Sequence, residues 1–213
     1  MTDLGLLHYF LGLEVKQGED GVFISQRKYA IDLLKRFNML NCKTVPTPMN
    51  VNEKLQLEDG IEKVGGSYFR SLVGGLIYWT HSRPDISLYV GVILRFMHKP
   101  SKHHLRATKR ILRYVAGTMN FGQWYSRFIT WNSKKQATTA LSSLEAEYVA
   151  ATSSACQALW LRSKHIDIRH HFIRELVAKG LIELKHCNTE EQVTDILTKA
   201  LPPAKHNYFM LCM

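Results

Sequence analysis

The 213 residues are 46% hydrophobic and 22% charged, a globular composition long enough for one large domain or two small ones, which excludes disorder across the whole length. Lys and Arg number 28 against 18 Asp and Glu, and the formal charge of +10 favours polyanionic partners such as nucleic acid over acidic small molecules. No apolar run approaches the roughly 18 residues of a bilayer span, and the N-terminus shows neither a basic n-region nor a cleavable apolar core, so an intracellular protein with no membrane partner is expected.

The opening segment alternates, with Tyr9, Leu11, Leu13 and Val15 expected on one face and His8, Phe10, Glu14 and Lys16 on the other. Gly18-Glu19-Asp20-Gly21 and the apolar Val22-Phe23-Ile24 then predict a β-hairpin with an Asp-Gly turn. From Gln26 the period becomes helical, with Ala30, Leu33, Leu34 and Phe37 on one stripe and Ser25 as the expected N-cap. Residues 41–66, with Pro46, Pro48 and several Asn, Glu and Gly, read as an irregular connection. Three helices are predicted beyond it, over 68–80, 85–97 and 102–116. Tyr78, Trp79, Tyr89, Phe96 and Tyr114 fall at helical spacing and are expected in the core rather than under bases.

The remainder opens with a short strand over 128–131 and a helix over 143–161 rich in small residues. Ser142 and Glu145 form a capping box there, which leaves Glu147 as the acid available for other work. A helix over 168–179 ends at Gly180 in the C-cap position, a strand covers 181–187, and Thr189 and Gln192 open a helix that carries Asp195 and stops before Pro202. Cys42, Cys156, Cys187 and Cys212 are far apart, which suggests neither a disulfide framework nor a cysteine zinc site. His103-His104, His165 and His170-His171 lack zinc-site spacing and read as solvated or capping histidines.

The charge is uneven: residues 1–127 carry a net +8 and residues 128–213 a net +2. Arg95, Lys99, Lys102, Arg106, Lys109, Arg110 and Arg113 follow one another with no acid between them. Lys99, Lys102, Arg106, Lys109, Arg110 and Arg113 are therefore candidate phosphate contacts, insensitive to sequence and weakened by salt; the alternative is an ordinary solvated helix surface.

Several segments resemble the C-terminal end of a copia-type retrotransposon Pol polyprotein, where reverse transcriptase passes into RNase H. They include Tyr9-Phe-Leu-Gly-Leu-Glu-Val15, residues 24–35, residues 68–78, Ser82-Arg-Pro-Asp-Ile86, Lys109-Arg-Ile-Leu-Arg-Tyr114, Ser133-Lys-Lys-Gln136, residues 140–148, residues 164–175 and residues 195–201, in the family's order. The resemblance implies an α+β chain. Residues 1–127 would be the rear of the polymerase, a palm-edge hairpin with a thumb-like helical bundle that holds duplex. Residues 128–213 would be a truncated RNase H-like α/β remnant.

The family's Tyr-x-Asp-Asp motif would lie upstream of the first strand, and no adjacent pair of aspartates occurs in the sequence, so no polymerisation is expected. Of the four RNase H acids, the resemblance places one at Glu147 and one at Asp195. The contexts of the other two are missing where Arg127 runs into Phe128 and Arg162-Ser163 into Lys164, as internal deletions, or exons omitted from a gene model, would leave them. Two metals about 3.5–4 Å apart need several anionic oxygens, whereas Glu147 and Asp195 alone would hold one Mg²⁺ weakly, mostly through water. The expectation is a catalytically inactive remnant with weak, sequence-independent nucleic-acid binding and no resident cofactor. The alternatives are a Mg²⁺-dependent hybrid nuclease acting through Glu147 and Asp195, and an inert gene fragment.

Overall fold

The structure is a computed structural model that describes residues 8–18, 21–125, 142, 146–147, 149–154, 157, 180, 187–188 and 190–212. The chain divides into two compact units, Met1–Lys134 with Val193–Met213, and Lys135–Gln192. Residues Val193–Met213 thus group with the N-terminal part of the chain.

The first unit is α+β. Strands Tyr9–Phe10 (β1), Leu13–Gly18 (β2), Gly21–Ser25 (β3) and Gly122–Trp124 (β4) form an antiparallel sheet in the order β1-β2-β3-β4. The predicted hairpin is β2–β3, with Val15 opposite Ile24 and Gly18 opposite Gly21. The alternation expected from residue 8 onward is broken by a tight turn at Leu11 (φ 47°) and Gly12 (φ 79°), both left-handed as a type I′ hairpin turn demands. That turn pairs Tyr9 with Glu14, so Tyr9 shares a face with Glu14 and Lys16 and not with Val15.

Helices Arg27–Arg36 (α1), Gly66–Trp79 (α2), Pro84–Leu94 (α3) and Lys102–Gly117 (α4) bury the apolar stripes that predicted them. Their core includes Leu33, Leu34, Phe69, Leu72, Leu76, Trp79, Ile86, Tyr89, Ile93, Ile111, Leu112 and Tyr114. Ser25 is not the N-cap of α1: it ends β3, and Gln26 takes the cap position without a side-chain cap bond. The Leu33 side chain of α1 packs directly against Gly75 of α2, where an added Cβ would collide with Leu33 Cδ1. Tyr29 Oη donates to the Gly75 carbonyl across the same seam at 3.0 Å. Trp79, Tyr89, Phe96 and Tyr114 are buried as expected, but Tyr78 is exposed, and its hydroxyl donates to the Leu11 carbonyl of the β1–β2 turn.

A 3-10 helix (Val193–Leu197) and a helix over Pro203–Cys212 (α5) complete this unit. The segment carrying Asp195 is thus a 3-10 turn rather than the expected α-helix, and the proline pair at 202–203 begins a helix, α5. Proline at the first helical position loses no hydrogen bond and arrives with a helical φ, so a proline pair can begin a helix as readily as end one. Ile196, Leu201 and Phe209 form a small core of their own, and the His206 ring lies 5.4 Å from that of Tyr114 and 6.4 Å from that of Tyr89.

In the second unit the described residues 146–147, 149–154 and 157 are helical, as the 143–161 prediction requires, and Gly180 has a φ of +64°. Glu145 of the expected capping box, Thr189, the predicted strand over 128–131, residues 181–186 of the predicted 181–187 strand, the 168–179 helix, His165, His170 and His171 lie outside the described residues, and Cys187 is not in a strand. Cys42, Cys187 and Cys212 are free thiols. No described helix is long and apolar enough to cross a membrane.

Candidate nucleic-acid interface

Helix α4 is anchored before it is charged. Ser101, in an extended conformation, caps its N-terminus: the hydroxyl accepts from the His104 N–H, and His104 Nδ1 accepts from the Ser101 N–H at 2.9 Å. This is a capping box with histidine in place of the usual Glu or Gln. It settles which of the two proposed roles His104 plays, since the ring is fully buried and stacked on Phe96 at 4.0 Å. Burial pushes the His104 imidazole below its ordinary range, in keeping with an Nδ1 that must stay unprotonated to accept. The Ser101 hydroxyl also donates to Asp59 Oδ2, the main reason that the Asp59 carboxyl is lowered to about 2. His103 is half-exposed, with Nε2 3.4 Å from Glu53.

With Ala107, Thr108, Ile111, Leu112, Tyr114 and Val115 buried, the opposite face of α4 is left to solvent. Lys102, Arg106, Lys109 and Arg113 recur there at spacings of four, three and four, so they form one stripe about 16 Å long. Lys102, Arg106 and Lys109 are exposed, Arg113 is half-buried, and Lys99 is exposed just ahead of the helix. Lys102 is paired with the Glu62 carboxylate of the 41–65 connection, a partner 40 residues away that no local pattern could announce. Arg110 is half-buried as well, and its Nη2 donates to Thr47 Oγ1 at 3.0 Å, so it braces the same connection. Among the described residues Lys99, Arg106, Lys109 and Arg113 make no ion pair.

The two candidate acids differ in setting. Glu147 is exposed on the helix of the second unit. Asp195 belongs to the first unit, where it is 5% exposed and its Oδ2 lies 2.9 Å from Lys199 Nζ and 4.0 Å from Lys205 Nζ. A carboxylate facing two ammonium groups in a buried position does not fit a metal ligand, because a divalent ion there would meet like charge before it met enough oxygen. Among the described residues no group of three or more His, Cys, Asp or Glu could hold a metal ion.

The strongest polar constellation of the first unit is structural, and it escaped the sequence reading. Arg83, fully buried at the start of α3, donates to Asp85 through Nε (2.8 Å) and Nη2 (2.7 Å) and to Thr118 through Nη1 and Nη2 (both 2.8 Å). Tyr114 Oη donates to Asp85 Oδ2 at 2.7 Å, and the rings of Trp79, Tyr114 and Phe121 surround the guanidinium at 5.5 to 5.6 Å. Burial alone would push the Asp85 carboxyl up, but the Arg83 charge and the Arg83 and Tyr114 hydrogen bonds reverse it and hold it below the usual carboxylate range.

No protein-family model matches the chain, and no solved structure is similar to it. The retrovirus-related Pol polyprotein from transposon RE1 of Arabidopsis thaliana is 34% identical over 92% of this chain and 18% of that polyprotein. The Pol polyprotein from transposon TNT 1-94 of Nicotiana tabacum is 31% identical over 100% of this chain and 22% of its own length. An uncharacterised mitochondrial protein of Arabidopsis thaliana is 34% identical over 75% of this chain and 80% of that protein. The chain spans about a fifth of the length of the Pol polyproteins it matches. The order of its segments, its α+β first unit and these likenesses agree: the chain belongs to the family of retrovirus-related Pol polyproteins of copia-type transposons.

Proposed function

We propose that this Pol segment is a remnant without catalysis that holds nucleic acid, without regard to sequence, against the basic stripe of α4. The observation that carries the reading is the stripe itself: Lys102, Arg106, Lys109 and Arg113 on one face of a helix whose other face is core, with Lys99 beside it. Such a row meets phosphates as point charges and forks, supplies affinity through counterion release, and reads no base edge. The absence of catalysis rests on the chemistry of the acids: polymerisation and hybrid cleavage both need carboxylates clustered on metal, and Asp195 already faces Lys199 and Lys205.

The test is fluorescence anisotropy of a labelled RNA–DNA hybrid with the whole chain across a salt series. Four stripe contacts predict that log K falls against log salt with a slope of about −3 to −4, and each contact removed makes it shallower by about 0.9. Arg106→Glu with Lys109→Glu and Arg113→Glu should abolish low-salt binding and leave the melting temperature unchanged. Equal binding by that variant would overturn the interface. Mg²⁺-dependent cleavage of the hybrid that is lost in Glu147→Gln or Asp195→Asn would overturn the non-catalytic reading.

A further inference from the structure

The sheet carries a second surface that the α4 stripe does not use. Residues paired across antiparallel strands point to the same side, and so do alternate residues along a strand. The register sets Lys16 opposite Phe23 and Phe23 opposite Trp124, while Tyr9 stands opposite Glu14 two residues before Lys16. Tyr9, Lys16, Phe23 and Trp124 therefore share one face with Glu14 and the buried Ser25; on it Tyr9 is 51% and Trp124 40% exposed, Phe23 is half-buried and Lys16 is exposed. The opposite face holds the buried Val15 and Gln123.

Three aromatic rings on the open side of a small antiparallel sheet run against the usual polar solvent face. Phe23 and Trp124 lie centroid to centroid at 5.4 Å, tilted by 50°. From β1 to β4 the rings span three strand spacings, about 14 Å. Lys28 Nζ sits 5.8 Å above the Tyr9 ring, and Lys16 lies on the strand between Tyr9 and Phe23. Among the described residues the acid on this face is Glu14, and it is engaged: its Oε1 accepts from the Lys28 backbone N–H at 2.8 Å. Among the described residues Lys16 makes no ion pair.

We propose that this face is a stacking platform for single-stranded nucleic acid, with unpaired bases on Phe23, Trp124 and the side of the Tyr9 ring away from Lys28, and phosphates on Lys16 and Lys28. The proposal rests on the polyanion reading above but uses a different surface and a different form of the ligand. Rings alone would suit any apolar partner; the interleaved lysines choose an anionic one whose repeat alternates a flat π face with a negative charge. A duplex keeps its base faces stacked internally, so it has nothing to lay on these rings.

The experiment measures the affinity of the whole chain for 12-nucleotide oligo-dT, oligo-U and a duplex of equal length. The wild type should bind both single strands, with quenching of Trp124 fluorescence that is missing from Trp124→Phe. Tyr9→Leu with Trp124→Leu should lose about 30-fold or more in single-strand affinity, the sum for two stacked bases at about one to three kcal/mol each. Duplex affinity should not change in that variant, and Tyr9→Phe with Trp124→Phe should restore single-strand binding. Lys16→Glu, an exposed change that leaves the fold alone, should make the single-strand salt slope shallower by about 0.7. Single-strand affinity that is absent from the wild type, or unmoved by the leucine pair and by Lys16→Glu, overturns the proposal. Loss of duplex binding confined to the α4 charge reversals separates the two surfaces, because it tests the stripe and leaves the platform standing.

Discussion

Replacing Asp85 by alanine removes the one carboxylate that faces the buried Arg83 guanidinium, and the cost follows from what is left behind. Arg83 and Asp85 are both without solvent exposure, so the cation would remain in the core with the Thr118 carbonyl and hydroxyl as its acceptors, and Tyr114 Oη would lose its acceptor as well. Breaking one side of a buried ion pair costs about 3–5 kcal/mol, most of it the penalty of the stranded charge. For a chain of this length each kcal/mol moves the melting temperature by about 2–4 °C, so Asp85→Ala should melt about 6–20 °C below the parent in a circular dichroism scan at pH 7. Arg83→Met with Asp85→Leu removes both charges and replaces them with apolar volume; it should melt above Asp85→Ala. The carboxyl of Asp85 is depressed in the folded state, so its contribution is present above the unfolded value near 3.8 and is lost as pH falls through the lower folded value. A parent-like melting temperature for Asp85→Ala, or a double variant less stable than the single one, would refute the argument that the pair is desolvated.

His104 and His206 are both lowered by burial below the ordinary 6.5, so the native state favours their neutral forms. Their contribution is complete above pH 6.5 and shrinks as pH drops below it toward the folded values; urea titrations from pH 8 to 5 should show the fall, and His206→Phe should flatten part of it. Phe209→Ala empties the small core around Ile196 and Leu201 and should cost about 3–5 kcal/mol by chemical denaturation. Ser101→Ala removes the α4 cap for about 1 kcal/mol, and NMR titration of the side-chain carboxyl should find Asp59 risen from about 2 toward 3.8.

Helices α1 to α4 were legible because each has a clear apolar stripe at helical spacing, and the hairpin β2–β3 because its turn residues stand between short apolar runs. Strand β4 was not: three residues hold too little alternation to be seen, and its register against Phe23 is a long-range fact. Local pairing at the Leu11-Gly12 turn overrode a clean alternating pattern, and a one-place change in pairing moves a whole strand's side chains to the other face. The basic stripe was visible as a charge run, whereas the Glu62 pairing of Lys102 and the bracing role of Arg110 depend on a connection folded back from 40 to 63 residues away. Ser82-Arg-Pro-Asp-Ile86 drew notice only as part of a resemblance; in the fold its Arg83 and Asp85 are the polar centre of the core, a role that neither charge nor spacing distinguishes from an exposed pair.

The tail over Val193–Met213 belongs to the same unit as Met1–Lys134, so the intervening Lys135–Gln192 is topologically an insertion whose two ends return to one body. A protease that cuts inside it should sever the backbone without dissolving the association, since His206 of the tail is buried against Tyr89 and Tyr114. The nicked molecule is then a noncovalent pair, one band in native electrophoresis and two in denaturant. The peptide over the last 21 residues, added in trans to a chain that ends at Lys134, becomes a complementing fragment in the manner of a split reporter.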